Sequence, residues 1–344
     1  MANARLDYLW LDGYETANIR TKAQIHSDSS YTGALEETPK WGFDGSSTQQ
    51  AEGHDSDCIL EPVRVYPNPF KANAYLVLCE VFNRDGTPHE SNTRNRIDRE
   101  REAEFWFGFE QEYILMMSNG RPVGFPDGGY PEPQGPYYCA VGSHRVEART
   151  MVDEHWEACV AADLGVTGIN AEVMLGQWEF QCFGKGALRA ADDLILARFL
   201  LHLISEKYNL IANLDPKPIS GDWNGSGMHS NFSYDYIRDH GGQAYVEALC
   251  EGFRPFHKDH IAVYGAGNEL RLTGAHETAS IDQFSFGASN RGASIRIPLY
   301  TTTHDWKGYL EDRRPASDAD PYLVVDRIMR TVNVAHESAL TAAS

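Results

Sequence analysis

Four glutamates lie inside apolar, aromatic stretches of the sequence, where local pattern alone does not explain them. Glu110 and Glu112 belong to the run Phe-Gly-Phe-Glu-Gln-Glu-Tyr, and Glu172 and Glu179 belong to a later apolar run. A bare carboxylate is costly to bury unless it is paired or coordinates a metal. Several side chains of one charge sign in such runs therefore predict bound cations.

The spacing of the glutamates predicts how they meet. Glu110 and Glu112 are two residues apart among strand formers, so both carboxylates are expected on one face of a strand. A two-residue hairpin loop at Leu175-Gly176 would place Glu172 directly opposite Glu179 on one face. Like charges in that arrangement repel, so a cation between them is the expected resolution. A solvated sheet face is the alternative for either pair alone.

Composition narrows the class of protein. The chain has 344 residues, enough for two domains, and a net charge of −19 from 49 acidic against 30 basic residues. This charge argues against nucleic acid or an anionic membrane as a partner. The six cysteines show no C-x-x-C spacing and are expected to be reduced core residues of a cytoplasmic protein. No membrane span or signal peptide is expected.

The order of elements predicts an α+β fold in two parts. Residues 1–88 are expected to form a small β domain, and residues 89–344 a larger domain with an antiparallel sheet and helices on one side. The predicted strands are Leu6–Leu11, Val63–Val65, Tyr75–Phe82 and the stretch around Glu110. The predicted helices are Thr93–Ala103, Thr150–Asp163, Ala187–Tyr208, Val246–His260 and Pro321–Ala335, and Arg121–Tyr138 is predicted to be loop.

A glycine-rich turn leads into a strand on which His229, Asn231 and Ser233 share one face. Small glycines allow backbone N–H groups to approach an anion closely. A single histidine in such a strand is more often a satisfied structural residue. Near a carboxylate cluster, however, we interpret His229 as a metal ligand.

Arginines dominate the next blocks of the sequence. Arg296 lies in an apolar strand pattern, where an unpaired guanidinium is not expected, and arginine suits bidentate binding of carboxylate and phosphate. Arg313 is two residues from Glu311, so one strand could offer a metal ligand and an anion clamp on the same face. A surface charge run is the alternative for Arg313 and the favoured interpretation of Arg314. For Asp44, local pattern favours an Asx-turn.

Glutamates, one histidine and several arginines together predict a two-metal phosphoryl-transfer site that also binds a carboxylated substrate. No P-loop or kinase signature is present, so metals and arginines would hold the nucleotide.

Several sequence blocks resemble glutamine synthetases, specifically the shorter type found in eukaryotes and some bacteria. The resemblance runs in family order from about residue 7 to 330. Met228 stands where the family often has Cys or Ala, and Leu310 where Phe is common. The matching stretches are Trp41-Gly-Phe-Asp-Gly-Ser-Ser-Thr, Phe107-Gly-Phe-Glu-Gln-Glu-Tyr, Pro133-Gln-Gly-Pro-Tyr-Tyr-Cys, Asn170-Ala-Glu-Val-Met, Gly176-Gln-Trp-Glu-Phe-Gln, Asn224-Gly-Ser-Gly-Met-His, Arg271-Leu-Thr-Gly and Glu311-Asp-Arg-Arg-Pro.

The resemblance implies a fold, a reaction and an assembly. The fold is an N-terminal β-grasp-like domain, residues 1–88, and a catalytic domain, residues 89–344, with a curved antiparallel sheet backed by helices. The reaction is ATP-dependent ligation of ammonia to L-glutamate through γ-glutamyl phosphate, with Mg²⁺ or Mn²⁺ as cofactors. The assembly is a homo-oligomer of two stacked pentameric rings, in which the N-terminal domain contributes to the neighbouring subunit's site.

The resemblance also implies roles for individual residues. The metal ligands would be Glu112, Glu172 and Glu179 for one ion, and Glu110, His229 and Glu311 for the other. Catalytic roles would fall to Asp44, Glu277, Arg296 and Arg313. Substrate would be bound by Asn224, Gly225, Arg271, Arg291 and Arg313. ATP would be bound by Ser233, Arg238, Arg291, Arg296 and Tyr309.

Other functions are compatible with parts of this pattern. A related ATP-dependent carboxylate–amine ligase or guanidino kinase would share the sheet but would not need ammonia. A non-catalytic nitrogen-sensing relative would usually have lost a metal ligand, and all six matching positions are filled here.

Overall fold

Two β-sheets organise the chain. The computed structural model describes residues 3–28 and 30–343. Its strands are β1 (Ala4–Leu11), β2 (Ile19–His26), β3 (Trp41–Asp44), β4 (Asp57–Pro67), β5 (Ala74–Phe82), β6 (Phe105–Met116), β7 (Val166–Ala171), β8 (Gln177–Lys185), β9 (Ile211–Asn213), β10 (Met228–Tyr234), β11 (Phe286–Ala288), β12 (Ile295–Ile297) and β13 (Leu310–Asp312).

Helices cover the second sheet and fill the connections. The α-helices are α1 (Arg149–Ala161), α2 (Ala187–Lys207), α3 (Asp235–Asp239), α4 (Gln243–Glu251), α5 (His257–Ile261), α6 (Leu299–Thr303) and α7 (Pro321–Ala343). Short 3₁₀ turns occur at Leu35–Glu37, Gly45–Thr48, Thr93–Arg96, Glu102–Glu104, Arg254–Phe256 and Asn268–Leu270. None of the helices in the described residues combines the length and the apolar character that a membrane crossing needs.

The first sheet has the strand order β2-β1-β5-β4-β3, with β1 parallel to β5 and the other pairs antiparallel. Successive side chains alternate across a strand, so the two faces of this sheet pack into different hydrophobic cores. Tyr8 and Val77 lie in a small core on one face, whereas Leu9 and Leu78 join the main core of the protein. The sheet is therefore packed directly against the rest of the chain.

The second sheet has the order β11-β12-β13-β10-β6-β8-β7, with β9 also paired to β6. Every pair is antiparallel except β11 with β12. Helix α2 packs against β6 and β8, and α1 and α7 pack on α2. The expected α+β architecture, with a curved, mostly antiparallel sheet backed by helices, is confirmed.

A buried ion network joins the first sheet to helix α2. Arg94 donates to both carboxylate oxygens of Asp192, at 2.8 and 2.9 Å, and to Glu80 Oε1 at 2.7 Å. Arg64 and the hydroxyl of Tyr322 also reach Asp192, which is fully buried. Removing one partner from such a buried network typically costs about 3–5 kcal/mol, because a charge is left uncompensated. The network therefore fixes the first sheet against the second. The boundary near residue 88 stays a prediction.

Most of the predicted elements are present, but the helix predicted over Thr93–Ala103 is wrong. Only two 3₁₀ turns occur there. The side chains of Asn92 and Asp98 accept hydrogen bonds from the backbone N–H groups of Asn95 and Glu100. Such local bonds compete with helical ones, so the segment turns twice instead of winding continuously.

Two further expectations needed correction. The helix predicted over Val246–His260 is divided into α4 and α5, since Pro255 occupies a short 3₁₀ turn between them. Cys139 is exposed, whereas the other five cysteines are buried free thiols, as expected.

Candidate active site

A polar cavity of about 530 Å³ opens on the face of the second sheet opposite α2. Two groups of candidate metal ligands meet at it, and within each group the ligand atoms lie within 4.8 Å of one another. The first group is Glu112, Glu172 and Glu179, and the second group is Glu110, His229 and Glu311. The structure thus brings all six predicted metal ligands together in the two predicted sets.

Strand register explains the first group. Glu112 on β6 is paired directly with Glu179 on β8. The predicted hairpin register was wrong by two residues, because Asn170 is the residue opposite Glu179 and the backbone N–H of Glu172 bonds to the carbonyl of Gln177. A shift of two residues keeps every side chain on its original face. Glu172 therefore still joins the other two carboxylates, as their diagonal neighbour.

The second group spans three adjacent strands. Glu110 on β6 is paired with His229 on β10, and His229 Nδ1 lies 3.2 Å from Glu110 Oε2. His229 Nδ1 is also 3.8 Å from Oε1 of Glu311 on β13. The two groups share β6, where alternation places Glu110 and Glu112 on the cavity side.

The two groups differ in how their charge is balanced. Arg296 and Arg313 form ion pairs with Glu311 in the second group. In the described residues, the three carboxylates of the first group form no ion pair and receive only hydrogen bonds, from Gly227 N, Asn170, Val173 N and Gln181.

Burial is the main cause that raises the pKa of Glu172, and repulsion from Glu112 adds to it. The pKa of Glu179 is also raised mainly by burial, and repulsion from Glu110 adds to it. These carboxylates need a proton or a cation nearby. Oxygen donors of this kind are the ligands that hard divalent cations prefer, and one imidazole is also compatible with Mn²⁺. The residues present therefore fit divalent metals.

A second, more apolar cavity of about 860 Å³ adjoins the first and shares Glu110 and Gln181 with it. We call it the outer cavity. The Arg238 guanidinium lies 4.1 Å from the centre of the Trp106 ring, and the rings of Tyr300 and His304 stack at 4.0 Å. Flat aromatic and guanidinium surfaces of this kind suit a planar heterocycle. Two of the other predicted ATP residues, Ser233 and Tyr309, also line this cavity.

Arginines surround the polar cavity on its other sides. The cavity is lined by Arg271, Arg291, Arg296 and Arg313, together with the predicted substrate residues Asn224 and Gly225. Among the described residues, Nε of Arg296 has no hydrogen-bond partner although it is buried, and the same is true of Nη1 of Arg238 beside the outer cavity. Buried unpaired donors are costly, and an anion with several acceptor oxygens would satisfy them.

Arg271 is almost fully buried between the second group and the segment after β13. Its Nη2 donates to the carbonyl of Arg313 at 3.0 Å and lies 3.2 Å from His229 Nε2. Burial lowers the pKa of Arg271 to about 10, which leaves the guanidinium charged at neutral pH. Arg271 therefore places a positive charge directly beside the cavity.

The segment 273–280 borders the mouth of the polar cavity. Its residues His276 and Glu277 have φ angles of 50° and 60°, the left-handed region. His276 contacts Gln134 at 2.8 Å and Asp222 at 2.9 Å, and Glu277 forms an ion pair with Arg291 at 2.8 Å. These contacts join the segment to three other loops around the cavity.

Asp44 does not line the polar cavity of its own chain. It ends β3 at the edge of the first sheet, and its Oδ1 accepts hydrogen bonds from Ser46 N at 3.0 Å and Ser46 Oγ at 2.6 Å. These bonds hold the pKa of Asp44 below its usual value. The Asx-turn expected from local pattern is therefore confirmed.

Arg314 is not a surface residue, so the favoured sequence interpretation was wrong. It is 1% exposed, donates to both carboxylate oxygens of Asp312, and lies between the rings of Tyr264 and Phe284. Alternation along the chain places Glu311 and Arg313 toward the cavity, and Asp312 and Arg314 toward the core.

Sequence reasoning missed several residues that line the two cavities. Trp106 was predicted only as a strand former and Gln134 lay only within one of the matching stretches, whereas no role was predicted for Tyr300 or Lys217. Lys217 donates to the carbonyl of Trp223, and Gln134 accepts from the backbone N–H of Asn224 at 2.6 Å. Their loops converge only in the folded chain, so no local pattern could have identified them.

Known protein families account for this arrangement. Residues 3–84 match the family described as "Glutamine synthetase, beta-Grasp domain", and residues 92–243 match "Glutamine synthetase, catalytic domain". A glutamine synthetase of Bradyrhizobium diazoefficiens is 53% identical over 338 residues, which is 97% of each chain. The chain belongs to the glutamine synthetase family.

Other relatives agree with this membership. A glutamine synthetase of the fungus Colletotrichum gloeosporioides is 49% identical to this family member over 95% of its chain and 91% of the relative. The solved structure titled "Apo GmaS without ligand" has a TM-score of 0.75 and 21% sequence identity, covering 97% of this chain and 78% of the other. This second comparison supports the fold.

We predict that divalent metal stabilises this glutamine synthetase family member through the first group. A free metal concentration 100 times Kd would stabilise a folded protein by about 2.7 kcal/mol. Glu172→Gln should keep the fold but weaken metal binding by at least about 100-fold, since even residues behind the ligands contribute that much. The measurement is the unfolding temperature with and without Mg²⁺ or Mn²⁺. Glu154→Gln, on the outer surface of α1, is the control. An unfolding temperature of the wild type that does not respond to metal would contradict the prediction.

Proposed function

We propose that the chain catalyses ATP-dependent ligation of ammonia to L-glutamate through γ-glutamyl phosphate, giving L-glutamine, ADP and phosphate. One observation carries the proposal: a cavity lined by carboxylates and arginines opens, at Glu110 and Gln181, into an outer cavity with aromatic walls. The outer cavity is suited to a nucleotide base, and the polar cavity to its phosphates and to an acidic substrate.

We further propose that the two groups bind Mg²⁺ or Mn²⁺. The first group would hold one ion beside the glutamate, and the second group another beside the ATP phosphates. When bound, such ions offset the negative charge of phosphates during transfer. The ligand types support this choice, because carboxylate oxygens suit both metals.

The arginines would act on the transferring phosphoryl group. Arg296 and Arg313 lie beside Glu311, and Arg291 lies across the cavity mouth at Glu277. In the first step the γ-carboxylate of glutamate attacks the γ-phosphorus of ATP, and ADP leaves. Guanidinium groups that are already in place stabilise the charge on the equatorial oxygens without having to reorganise. Ser233, Arg238 and Tyr309 would hold the nucleotide in the outer cavity.

Glutamate would lie against Arg271, Asn224 and Gly225 in the polar cavity. The buried charge of Arg271 offers a partner for a carboxylate. The backbone N–H of Asn224 donates to Gln134 Oε1, and its side-chain amide donates to Gln177 Oε1. Gly225 has no room for a side chain, since an added Cβ would lie 2.6 Å from the carbonyl of Pro216. These residues would orient the γ-carboxylate toward ATP.

In the second step ammonia attacks the acyl carbon and phosphate leaves. We propose that Asp44 of a neighbouring subunit binds ammonium and accepts its proton. Its carboxylate is ionised at neutral pH, as an ordinary aspartate is, and the bonds from Ser46 lower its pKa further. Glu277, on the segment that borders the cavity mouth, would favour the cationic adduct formed by attack.

We propose a homo-oligomer of two stacked pentameric rings, with each site formed between neighbouring subunits. Asp44 supports this arrangement, because it lies at the exposed edge of the first sheet and outside its own chain's polar cavity. A head-to-tail contact that closes by rotation would bring that edge to the cavity of the next chain. A cytoplasmic location fits the five buried free thiols, which persist in reducing compartments.

The reaction predicts that ammonium stimulates phosphate release. With ATP, L-glutamate and Mg²⁺, addition of ammonium should raise the rate and give one glutamine for each phosphate. The assay measures both products in parallel. Turnover that does not depend on ammonium would indicate another ligase or a guanidino kinase instead, and metal binding without turnover would indicate a non-catalytic relative.

A site shared between subunits predicts complementation. Asp44→Asn and Arg296→Ala should each be inactive, but mixed oligomers should regain roughly a quarter of wild-type activity, since one interface in four then carries neither lesion. Asp44→Asn is preferred because asparagine can keep the turn. A mixture of Arg296→Ala with Arg313→Ala is the control, since both arginines line the same chain's cavity and no recovery is expected. Proven mixing without recovery in the first pair would contradict a shared site.

The role proposed for Glu277 predicts how much glutamine is formed for each phosphate released. γ-Glutamyl phosphate is labile to water, and a segment closed over it would protect it. Glu277→Ala should therefore still form the acyl phosphate but lose part of it to hydrolysis. At saturating ammonium, the ratio of glutamine to phosphate should fall below one. Glu277→Gln separates the shape of the side chain from its charge, and an unchanged ratio in both variants would rule out this role.

A further inference from the structure

Gln111 lies between two candidate ligands, Glu110 and Glu112, but points to the opposite face of β6. Its side chain is fully buried. Nε2 donates to the carbonyl of Ser317 at 3.0 Å and lies 2.9 Å from Ser317 Oγ and from the carbonyl of Glu112. Oε1 accepts a hydrogen bond from Nε of Arg198 at 2.8 Å. Hydrogen bonds of Gln111, on the face opposite the cavity, thus hold β6 in place.

Arg198 belongs to α2, and the residue as a whole is 5% exposed. Besides Gln111, it donates to the carbonyl of Ser317 at 2.8 Å, the carbonyl of Ala319 at 2.9 Å and the sulfur of Met228 at 3.0 Å. In the described residues it forms no ion pair and donates to no carboxylate. Burying a charge in this way is costly, and an apolar side chain of similar size often serves stability as well or better.

The carbonyls that Arg198 binds belong to a segment that touches the metal groups. Ser317 Oγ donates to the carbonyl of Glu112 at 2.6 Å, and Ser317 N donates to the carbonyl of Ser226 at 3.1 Å. Ser226 immediately precedes Gly227, whose N–H bonds to the carboxylate of Glu112. The network therefore connects β6, the start of β10 and the segment after β13. The candidate ligands Glu110 and Glu112 lie on β6, His229 lies on β10, and Glu311 lies on β13.

We propose that Arg198 is a positioning residue that acts through Gln111 and Ser317 to set the spacing of the candidate metal ligands. It touches neither cavity-facing carboxylates nor substrate. The proposal deepens the proposed function and rests on one part of it, the binding of divalent cations by the two groups. A guanidinium suits this task because its rigid fork holds one amide oxygen and two carbonyls at fixed angles.

Mn²⁺ binding by the purified full-length chain tests the proposal. Arg198→Met keeps an unbranched, flexible side chain but is shorter and uncharged, and it removes the donor that Arg198 supplies to the oxygens of Gln111, Ser317 and Ala319. Mn²⁺ affinity, measured by calorimetry, should fall about 10-fold, the lower end of the effect of losing a direct partner of a metal ligand, because Arg198 acts on the ligands through Gln111 and Ser317. Arg198→Lys should recover part of it. Saturating Mn²⁺ should restore most of the turnover, which it would not do if the catalytic residues themselves were displaced.

Leu201→Ala is the matched control, since Leu201 is a fully buried residue on the same helix. It should lower the unfolding temperature of the metal-free protein while leaving Mn²⁺ affinity nearly unchanged. An equal loss of affinity in Leu201→Ala, or unchanged affinity in Arg198→Met, would overturn the proposal.

Ser317→Ala decides the question if Arg198→Met does not fold. It removes one hydroxyl, and with it the bond to the Glu112 carbonyl, and should weaken Mn²⁺ binding in the same direction. Unchanged affinity in this variant would overturn the proposal. Wild-type protein that binds Mn²⁺ through this network yet makes no glutamine would instead contradict the proposed function alone.

Discussion

Repulsion among carboxylates on neighbouring strands is the constraint on which the rest of the site depends. Glu112 and Glu179 occupy directly paired positions, and Glu172 lies diagonally beside them. All three side chains are buried, and no basic side chain in the described residues forms an ion pair with them, so their charge has no direct partner within the chain. The fold therefore holds three acidic groups where they repel, and it must do so with bonds from elsewhere in the chain.

Those bonds come from the reverse face of the sheet. On β6, Glu110 and Glu112 face the cavity, whereas Gln111 between them faces helix α2. On β13 and directly after it the pattern repeats, with Glu311 and Arg313 toward the cavity and Arg314 in the core. Because successive side chains alternate, the candidate ligands lie on the cavity face of each strand, and the side chains that hold the strand in place lie on the opposite face. Within the described residues, each polar side-chain atom of Gln111, Arg198 and Arg314 has at least one hydrogen-bond partner, which a buried network needs if it is to make the structure rigid.

Much of this could be predicted from sequence, and the failures have physical causes. Helix α2 and strand β5 are long periodic segments, and both were predicted nearly to the residue. The hairpin register was wrong because turn type cannot be read from Leu175-Gly176 alone, yet the ligand set survived a slip of two residues. Arg314 was misread because its partners, Tyr264 and Phe284, are distant in sequence. Trp106 and Tyr300 in the walls of the outer cavity were missed for the same reason, since they come from separate segments.

The backbone of His276 and Glu277 has a consequence of its own. Two successive non-glycine residues in the left-handed region cost roughly 1–2 kcal/mol each, because Cβ approaches the carbonyl oxygen. The contacts that hold the segment, to Gln134, Asp222 and Arg291, are largely solvent-exposed polar contacts that contribute little. The strain of these two residues therefore offsets part of what the contacts contribute, and the segment is held only weakly to the loops around it. A ligand bound in the polar cavity would displace it at little energetic cost.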